Sequence, residues 1–229
     1  MRCQIDHLII GAETLEQGVE YVRNTLGVEV PSGGKHAAMA THNHVMSLGD
    51  NVYLEIIAAN NSQQAQVERL QQPRWFALDD PYVKKTLSES PTLLTWAVNT
   101  PDIQQTLDNA LWQAGQAMQL SRDDLSWSFA MMEDGRLHAG GALPYIIQWH
   151  VDEHPSGRMK DTGVRLDELR IRHPQADWLT NCLKSIGAET LVKVESVDAD
   201  ESPRLVARFS LGTGDERKTV ELCSGGQVV

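Results

Sequence analysis

Apolar and polar positions alternate in three regions of the chain, and each time the alternation gives way to a helical period. The first region opens with Ile5-Asp6-His7-Leu8-Ile9-Ile10, where Leu8 and Ile10 share one face and Ile5, His7 and Ile9 the other. Thr14, with Gln17 three residues on, then starts a helix whose apolar positions Leu15, Val19, Val22 and Leu26 lead to Gly27, a natural C-terminal cap. Residues 41–48 and 52–58 read as strands joined by the turn Gly49-Asp50-Asn51. In the second of these, Leu54 and Ile56 point one way and Tyr53, Glu55 and Ile57 the other. If Leu54 and Ile56 pack on the helix beside Leu8 and Ile10, His7 and Glu55 share the opposite face.

The pattern then returns. A strand over 92–98 is followed by Asp102 as N-cap and by Ile103, Leu107, Ala110, Leu111 and Ala114 at helical spacing, up to Gly115. The step from Thr14 to Gly27 equals that from Asp102 to Gly115, which puts Thr95 in the place of His7. Residues 142–150 repeat the closing strand, with Ile146-Ile147-Gln148 over Tyr53-Leu54-Glu55, and the same alternation sets Trp96 and Trp149 toward the helices. Residues 60–90 form a polar connector with a helical piece near 63–71 and with Pro73 and Pro81 as breakers. A third copy has a strand at 166–171, a helix from Pro174 through Trp178, Cys182 and Ile186 to Gly187, and strands at 205–211 and 219–223 around Gly212-Thr213-Gly214-Asp215. There Glu168 takes the place of His7 and Glu221 that of Glu55. The expected architecture is α+β: module one at 1–60, a connector at 61–91, module two at 92–152 and a degenerate module three at 163–224.

Composition narrows the class of partner. The formal charge of −11 over 229 residues, scattered rather than in runs, argues against nucleic acid or an anionic membrane surface. No apolar run reaches the roughly 20 residues of a membrane helix, and no basic-then-apolar leader opens the chain, so the expectation is a cytoplasmic protein. Cys3, Cys182 and Cys223 lack CxxC spacing and read as reduced, buried thiols. Nothing matches a P-loop, a Ser/His/Asp arrangement or a dinucleotide fingerprint.

Chemistry concentrates on few residues. Glu55 between Leu54 and Ile56 would cost several kcal/mol to bury unless paired, hydrated or bound to a cation; an ion pair or an edge position is the alternative. His7 on its apolar strand is either a core histidine bonded to backbone or a ligand. His36, His42, Asn43 and His44 form a dense polar cluster, either a solvated loop or a rim that hydrogen-bonds a ligand. His150 and His154 carry a weaker signal, and His138 and His173 read as surface residues.

These elements together resemble the vicinal-oxygen-chelate superfamily, in particular its glyoxalase-like branch (glyoxalase, bleomycin-resistance and dioxygenase proteins). The resemblance rests on Ile5-Asp6-His7-Leu8 before the capped helix ending Leu26-Gly27-Val28, on Gly33-Gly34-Lys35-His36 followed by Ala40-Thr41-His42-Asn43, on Leu48-Gly49 before Tyr53-Leu54-Glu55-Ile56, and on Pro144-Tyr145-Ile146-Ile147-Gln148-Trp149. Ala40 departs from it, standing where glycine is more typical. The resemblance implies βαβββ modules whose paired sheets curl into a cup around a divalent metal, with His7 and Glu55 as metal ligands and Glu55 as the catalytic proton carrier. It places His36, Asn43, Gln148 and His150 as substrate contacts. With module two as partner the set is completed only by neutral Thr95 and Gln148; with module three, Glu168 and Glu221 complete a His/Glu/Glu/Glu quartet. Pairing of sequence neighbours is the expected arrangement. The function implied is a small-molecule enzyme of lyase, isomerase or dioxygenase type using Mn, Fe, Ni, Zn or Mg, or no metal. The alternative is a non-catalytic, bleomycin-resistance-like binder, and a spare module leaves a surface for a homodimer.

Overall fold

The computed structural model describes residues 2–69, 71–212 and 217–225; Thr213, Gly214 and Asp215 of the predicted turn lie outside them. The first module has strand β1 (Gln4–Gly11), helix α1 (Leu15–Leu26), and strands β2 (Ser32–His36), β3 (Thr41–Gly49) and β4 (Val52–Ala59). Thr14 caps α1 by accepting from the Gln17 N–H, and Gly27 ends it in the left-handed region. Ala40 also adopts φ of 46°, which accounts for the preference for glycine at that turn. β1 runs parallel to β4, with His7 opposite Tyr53 and Ile9 opposite Glu55.

The connector holds two helices, α2 (Gln63–Glu68) and α3 (Pro81–Glu89). Pro81, read from sequence as a breaker, starts α3 instead. Proline suits a first-turn position that needs no N–H, and Asp80 caps the helix by accepting from the Tyr82 and Val83 amides. The second module follows as β5 (Thr92–Asn99), α4 (Ile103–Asn109), β6 (Gln116–Arg122), β7 (Leu125–Met131) and β8 (Tyr145–Trp149). α4 stops well short of Gly115, because Leu111 turns away and donates its amide to Ser185 Oγ.

The strands of both modules form one sheet in the order β2-β3-β4-β1-β5-β8-β7-β6, joined where β1 runs antiparallel to β5. Modules one and two are therefore the pair. The sheet curls: His36 at the end of β2 and Arg122 at the end of β6 lie at opposite edges of the strand order, yet their nitrogens approach to 3.4 Å.

The third unit has β9 (Arg165–His173), α5 (Ala176–Ser185), β10 (Lys193–Ser196), β11 (Arg204–Leu211) and β12 (Lys218–Cys223). Its element order is that of a βαβββ module, but its strand order, β10-β9-β11-β12, is not: β9 pairs in parallel with the second strand rather than the last. The positional match of Glu168 to His7 and Glu221 to Glu55 consequently fails. Both carboxylates flank Arg170 on the second sheet, in ion pairs remote from His7.

The second sheet and α5 cover the outer side of the large sheet. Leu8, Leu54, Ile56, Trp96 and Ile146 form one apolar core with Val22, Leu179, Leu183 and Phe209. Trp96 packs there as expected, its indole N–H on the Ala142 carbonyl at 3.1 Å. His173, by contrast with its reading as a surface residue, is buried, and so is His138. All three cysteines are free and buried. Among the described residues no helix is long and apolar enough to cross a membrane. Because the two sheets share one core, Phe209→Ala should cost about 3–5 kcal/mol and leave a single urea transition by tryptophan fluorescence. Separate transitions would show that the units fold independently.

Candidate functional site

Alternation along β1 and β4 directs His7, Ile9, Tyr53, Glu55 and Ile57 into the concave side of the sheet. His7 is 3% and Glu55 5% exposed, and both line one cavity with His36, Asn43, Arg122 and Trp149. Most of the cup is filled. Trp75 and Phe76, from the connector, pack against Phe129 and Tyr145, so the open space is about 60 Å³, room for a few waters.

Glu55 Oε1 accepts from Asn43 Nδ2 at 2.6 Å, and Oε2 lies 3.7 Å from His7 Nε2. Asn43 is itself fixed, because its Oδ1 accepts from the Gly34 amide at 2.7 Å. A Cβ on Gly33 would stand 2.3 Å from that oxygen, so the Gly-Gly turn is what lets β2 close over Asn43. On the other side His7 Nδ1–H donates to Asp6 Oδ1 at 2.5 Å, which leaves Nε2 facing Glu55. Adjacent strand residues normally face opposite ways. A register shift in β1 between Ile5 and His7 re-aims Asp6, so that both side chains join one cluster.

Asp6 is fully buried and accepts three donors: His7, Trp149 Nε1–H at 2.8 Å and His154 Nε2–H at 3.0 Å. Burial works against its ionisation, but the hydrogen bonds and charges of His154 and His7 bring its carboxyl down to about 2. Glu55 goes the other way. Burial raises its pKa, and the opposing pull of His7, Asn43 and Arg122 does not cancel that effect. His36 is held neutral, at about 3, first by burial and then by the charge of Arg122. Tyr53 stacks on His7 at 4.5 Å, and burial pushes its phenol well above the usual range.

The residues expected at this site divide. His7, Glu55, His36 and Asn43 come together in the cavity; Gln148 and His150 do not. Gln148 points to the helix side, where Oε1 accepts from the Ile103 amide and Nε2 donates to Pro101, completing the start of α4. His150 is exposed and bonded to Ser128. The cause is a one-residue slip in matching the modules. Ala97 pairs with Tyr145 as His7 pairs with Tyr53, so Tyr145-Ile146-Ile147, not Ile146-Ile147-Gln148, overlies Tyr53-Leu54-Glu55. The same slip reverses Trp149, which lines the cavity rather than the helix side. Thr95 likewise is not the counterpart of His7; it is buried on the Gly141 carbonyl. His42 and His44 lie on the outer face of β3, His44 on the Val30 carbonyl.

Sequence reasoning gave Asp6 and Arg122 no role, placed Tyr53 on the face of Glu55 without assigning it one, set Trp149 on the helix side and gave His154 only a weak signal. Asp6 had a usable signal, a carboxylate in an apolar run, which is the reasoning applied to Glu55. Arg122 had none, since only the curl of the sheet brings it to the cup.

The metal implied by the resemblance needs donors from both modules. Residue-for-residue, module two presents Ala97 and Ile147, which carry no donor atoms, and a guanidinium lines the same cavity. Among the described residues no group of three or more His, Cys, Asp or Glu could hold a metal ion. Two donors beside a cation do not fit a tight divalent site.

A cup made from two βαβββ modules joined edge to edge is the architecture of the vicinal-oxygen-chelate class. Within it, the chain belongs to the glyoxalase-like domain family, which matches residues 5–187. Among solved structures it is similar to Streptomyces coelicolor methylmalonyl-CoA epimerase in complex with 2-nitronate-propionyl-CoA, at 15% identity and a TM-score of 0.40, covering 67% of this chain and 98% of that one. It is similar also to 4-hydroxymandelate synthase from Streptomyces coelicolor, at 14% identity and a TM-score of 0.46, covering 96% of this chain and 62% of that one. Methylmalonyl-CoA epimerase from Mycobacterium tuberculosis shows 16% identity and a TM-score of 0.38, over 64% and 86%. No curated protein matches the chain.

The two carboxylates should give opposite pH signatures. Asp6 is depressed from 3.8 to about 2, so its contribution is complete above about 3.8 and is lost as pH falls toward 2. Glu55 is raised above 4.5, so folding is favoured below that value and penalised as pH rises through its folded value. In urea unfolding, Asp6→Asn should lose about 2 kcal/mol at pH 7, roughly half of that at pH 3 and little at pH 2. Glu55→Gln should be more stable than the wild type at pH 7 and equal to it at pH 4. A Glu55→Gln protein less stable at pH 7 would show that Glu55 is not the penalised group.

Proposed function

We propose that the protein is a small-molecule enzyme that moves a proton at a carbon acidified by a neighbouring oxygen, with Glu55 as the acid–base group. The observation that carries this reading is a buried carboxylate of raised pKa at the end of a solvent-reaching cavity, aimed by Asn43 and 3.7 Å from an oriented imidazole. In its ionised form Glu55 takes a proton from the C–H bond, the electron pair passes to the substrate oxygen, and the proton returns from Glu55 to the same or a neighbouring carbon. His7 can hold or return a proton through Nε2, and Asp6 fixes its tautomer and steadies the imidazolium. No step requires a metal. The catalytic unit comprises modules 1–60 and 92–152 with the connector 61–91 as its cover, and 163–224 supports it from behind.

The aromatic lining of the cavity, from Trp75, Phe76, Trp127 and Trp149, favours a second reading in which the cup only sequesters its ligand. Incubation with small aldehydes, ketones and 2-oxo or 2-hydroxy acids in deuterated water, followed by proton NMR, separates the two. The enzyme reading expects deuterium wash-in at one carbon, reduced about 10²–10⁴-fold by Glu55→Gln. Asp6→Asn should slow exchange less and alter its pH profile. Binding without exchange by the wild type would establish the sequestering role.

A further inference from the structure

We propose that Arg122 makes the mouth of this cavity a carboxylate-binding subsite, so that the molecule taken by the site is a small organic acid with its carboxylate on the guanidinium and its acidic carbon toward Glu55. The proposal rests on the proton-transfer reading of Glu55 and adds the class of substrate.

Arg122 is the one lysine or arginine among the residues lining the cavity. Other arginines withdrawn from solvent are matched by carboxylates: buried Arg74 by Asp79, and half-buried Arg170 by Glu168 and Glu221. Arg122 instead donates to a neutral acceptor, His36 Nε2, at 3.4 Å. That ring is held in turn by its Nδ1 on Thr41 Oγ1 at 3.0 Å and by the edge of Trp75. Among the described residues no Asp or Glu forms an ion pair with Arg122. A guanidinium has five N–H donors in a planar fork that matches a carboxylate, and one contact to His36 leaves most of the fork uncommitted.

The place is built for that group. A Cβ on Gly34 would stand 2.4 Å from Arg122 Nη1, so glycine at this position leaves the guanidinium room to lie across β2. Aromatic walls leave room for only a few waters and so strengthen a charge-assisted bond. The balance of charge agrees. Burial first, and then the charge of Arg122, keeps His36 unprotonated, so the guanidinium is the fixed positive charge that an incoming anion meets in the cavity. A neutral ligand would leave the guanidinium desolvated and unpaired, at a cost. An open space of about 60 Å³ restricts the acid to a few heavy atoms.

The test compares wild type, Arg122→Gln, Arg122→Lys and Glu55→Gln, each shown by circular dichroism to be folded. Tryptophan fluorescence is titrated with propanoate, pyruvate and lactate, and with neutral propanamide. The subsite expects at least one acid to bind, propanamide to bind at least tenfold more weakly, Arg122→Gln to weaken the acid tenfold or more, Arg122→Lys to restore part of it, and Glu55→Gln to retain it. The proposal is overturned if no acid binds, if propanamide binds as well as the acids, or if folded Arg122→Gln binds them like the wild type. Acids that bind through Arg122 without any proton exchange would sink the catalytic reading alone. Exchange on a neutral ketone that depends on Glu55 and survives Arg122→Gln would sink the carboxylate subsite alone.

Discussion

Two carboxylates buried within one residue cluster set the terms for the rest of this site. An ionised carboxylate in an apolar interior is expensive, and the chain meets that expense in opposite ways at Asp6 and Glu55. Asp6 receives three N–H donors from a histidine, a tryptophan and a second histidine, and is locked as an anion. Glu55 receives one amide donor and faces an imidazole too distant for a direct hydrogen bond, and burial raises its pKa above the usual carboxylate range. The same burial therefore leaves the two groups with pKa values driven in opposite directions, and the difference lies in the number of N–H donors each receives. The register shift in β1 is the backbone feature that makes this possible, since without it Asp6 would point to the opposite face from His7.

The two modules share a topology and differ in chemistry. Module one carries His7, Asn43 and Glu55 on its inner face; module two carries Ala97, Phe129 and Ile147 at its inner positions, with Tyr145 in stacked contact with Phe129. A site that drew symmetrically on both would have donors on both walls. Here one wall is polar and the other aromatic, so the cup has a fixed polarity from one wall to the other, and Arg122 lines the same cavity.

The sequence carried the first module well and the others unevenly. Strong amphipathic alternation with a capped helix made β1, α1, β3 and β4 readable, and placed His7 and Glu55 on one face. The second module failed by one residue at its closing strand, and since side chains alternate with period two, that slip exchanged Gln148 for Ile147 and hid Trp149. β6 and β7 were not read as strands, although Leu125, Trp127, Phe129 and Met131 alternate with Ser126, Ser128 and Ala130 as in a half-buried strand; the edge strand β6 lies largely in solvent. In the third unit the order of elements survives while the strand order does not, and element order alone cannot report which strands pair. Arg122 and His154 reach the site through the curl of the sheet and a chain reversal after β8. Both are long-range consequences that no local pattern encodes.

The connector decides how the cup is used. Phe76 and Ala77 hold φ of 56° and 54°, a conformation that costs a side-chain-bearing residue about 1–3 kcal/mol. That cost is met by fixed neighbours. Arg74 is buried and bonded to Asp79 and to the Ala40 carbonyl, and the Ala77 amide donates to the Gly135 carbonyl. Anchored at both modules, the strained turn drives Trp75 and Phe76 into the concave face, where Phe76 meets Phe129 and Tyr145 edge-on. The filled volume is what reduces the free space to the corner between Glu55, His7 and Arg122. A longer or looser connector would leave a wide cup open to water, and Glu55 would lose the desolvation that raises its pKa. The same segment that looks like a polar linker in the sequence thus sets both the free volume of the cup and the burial that raises the pKa of Glu55.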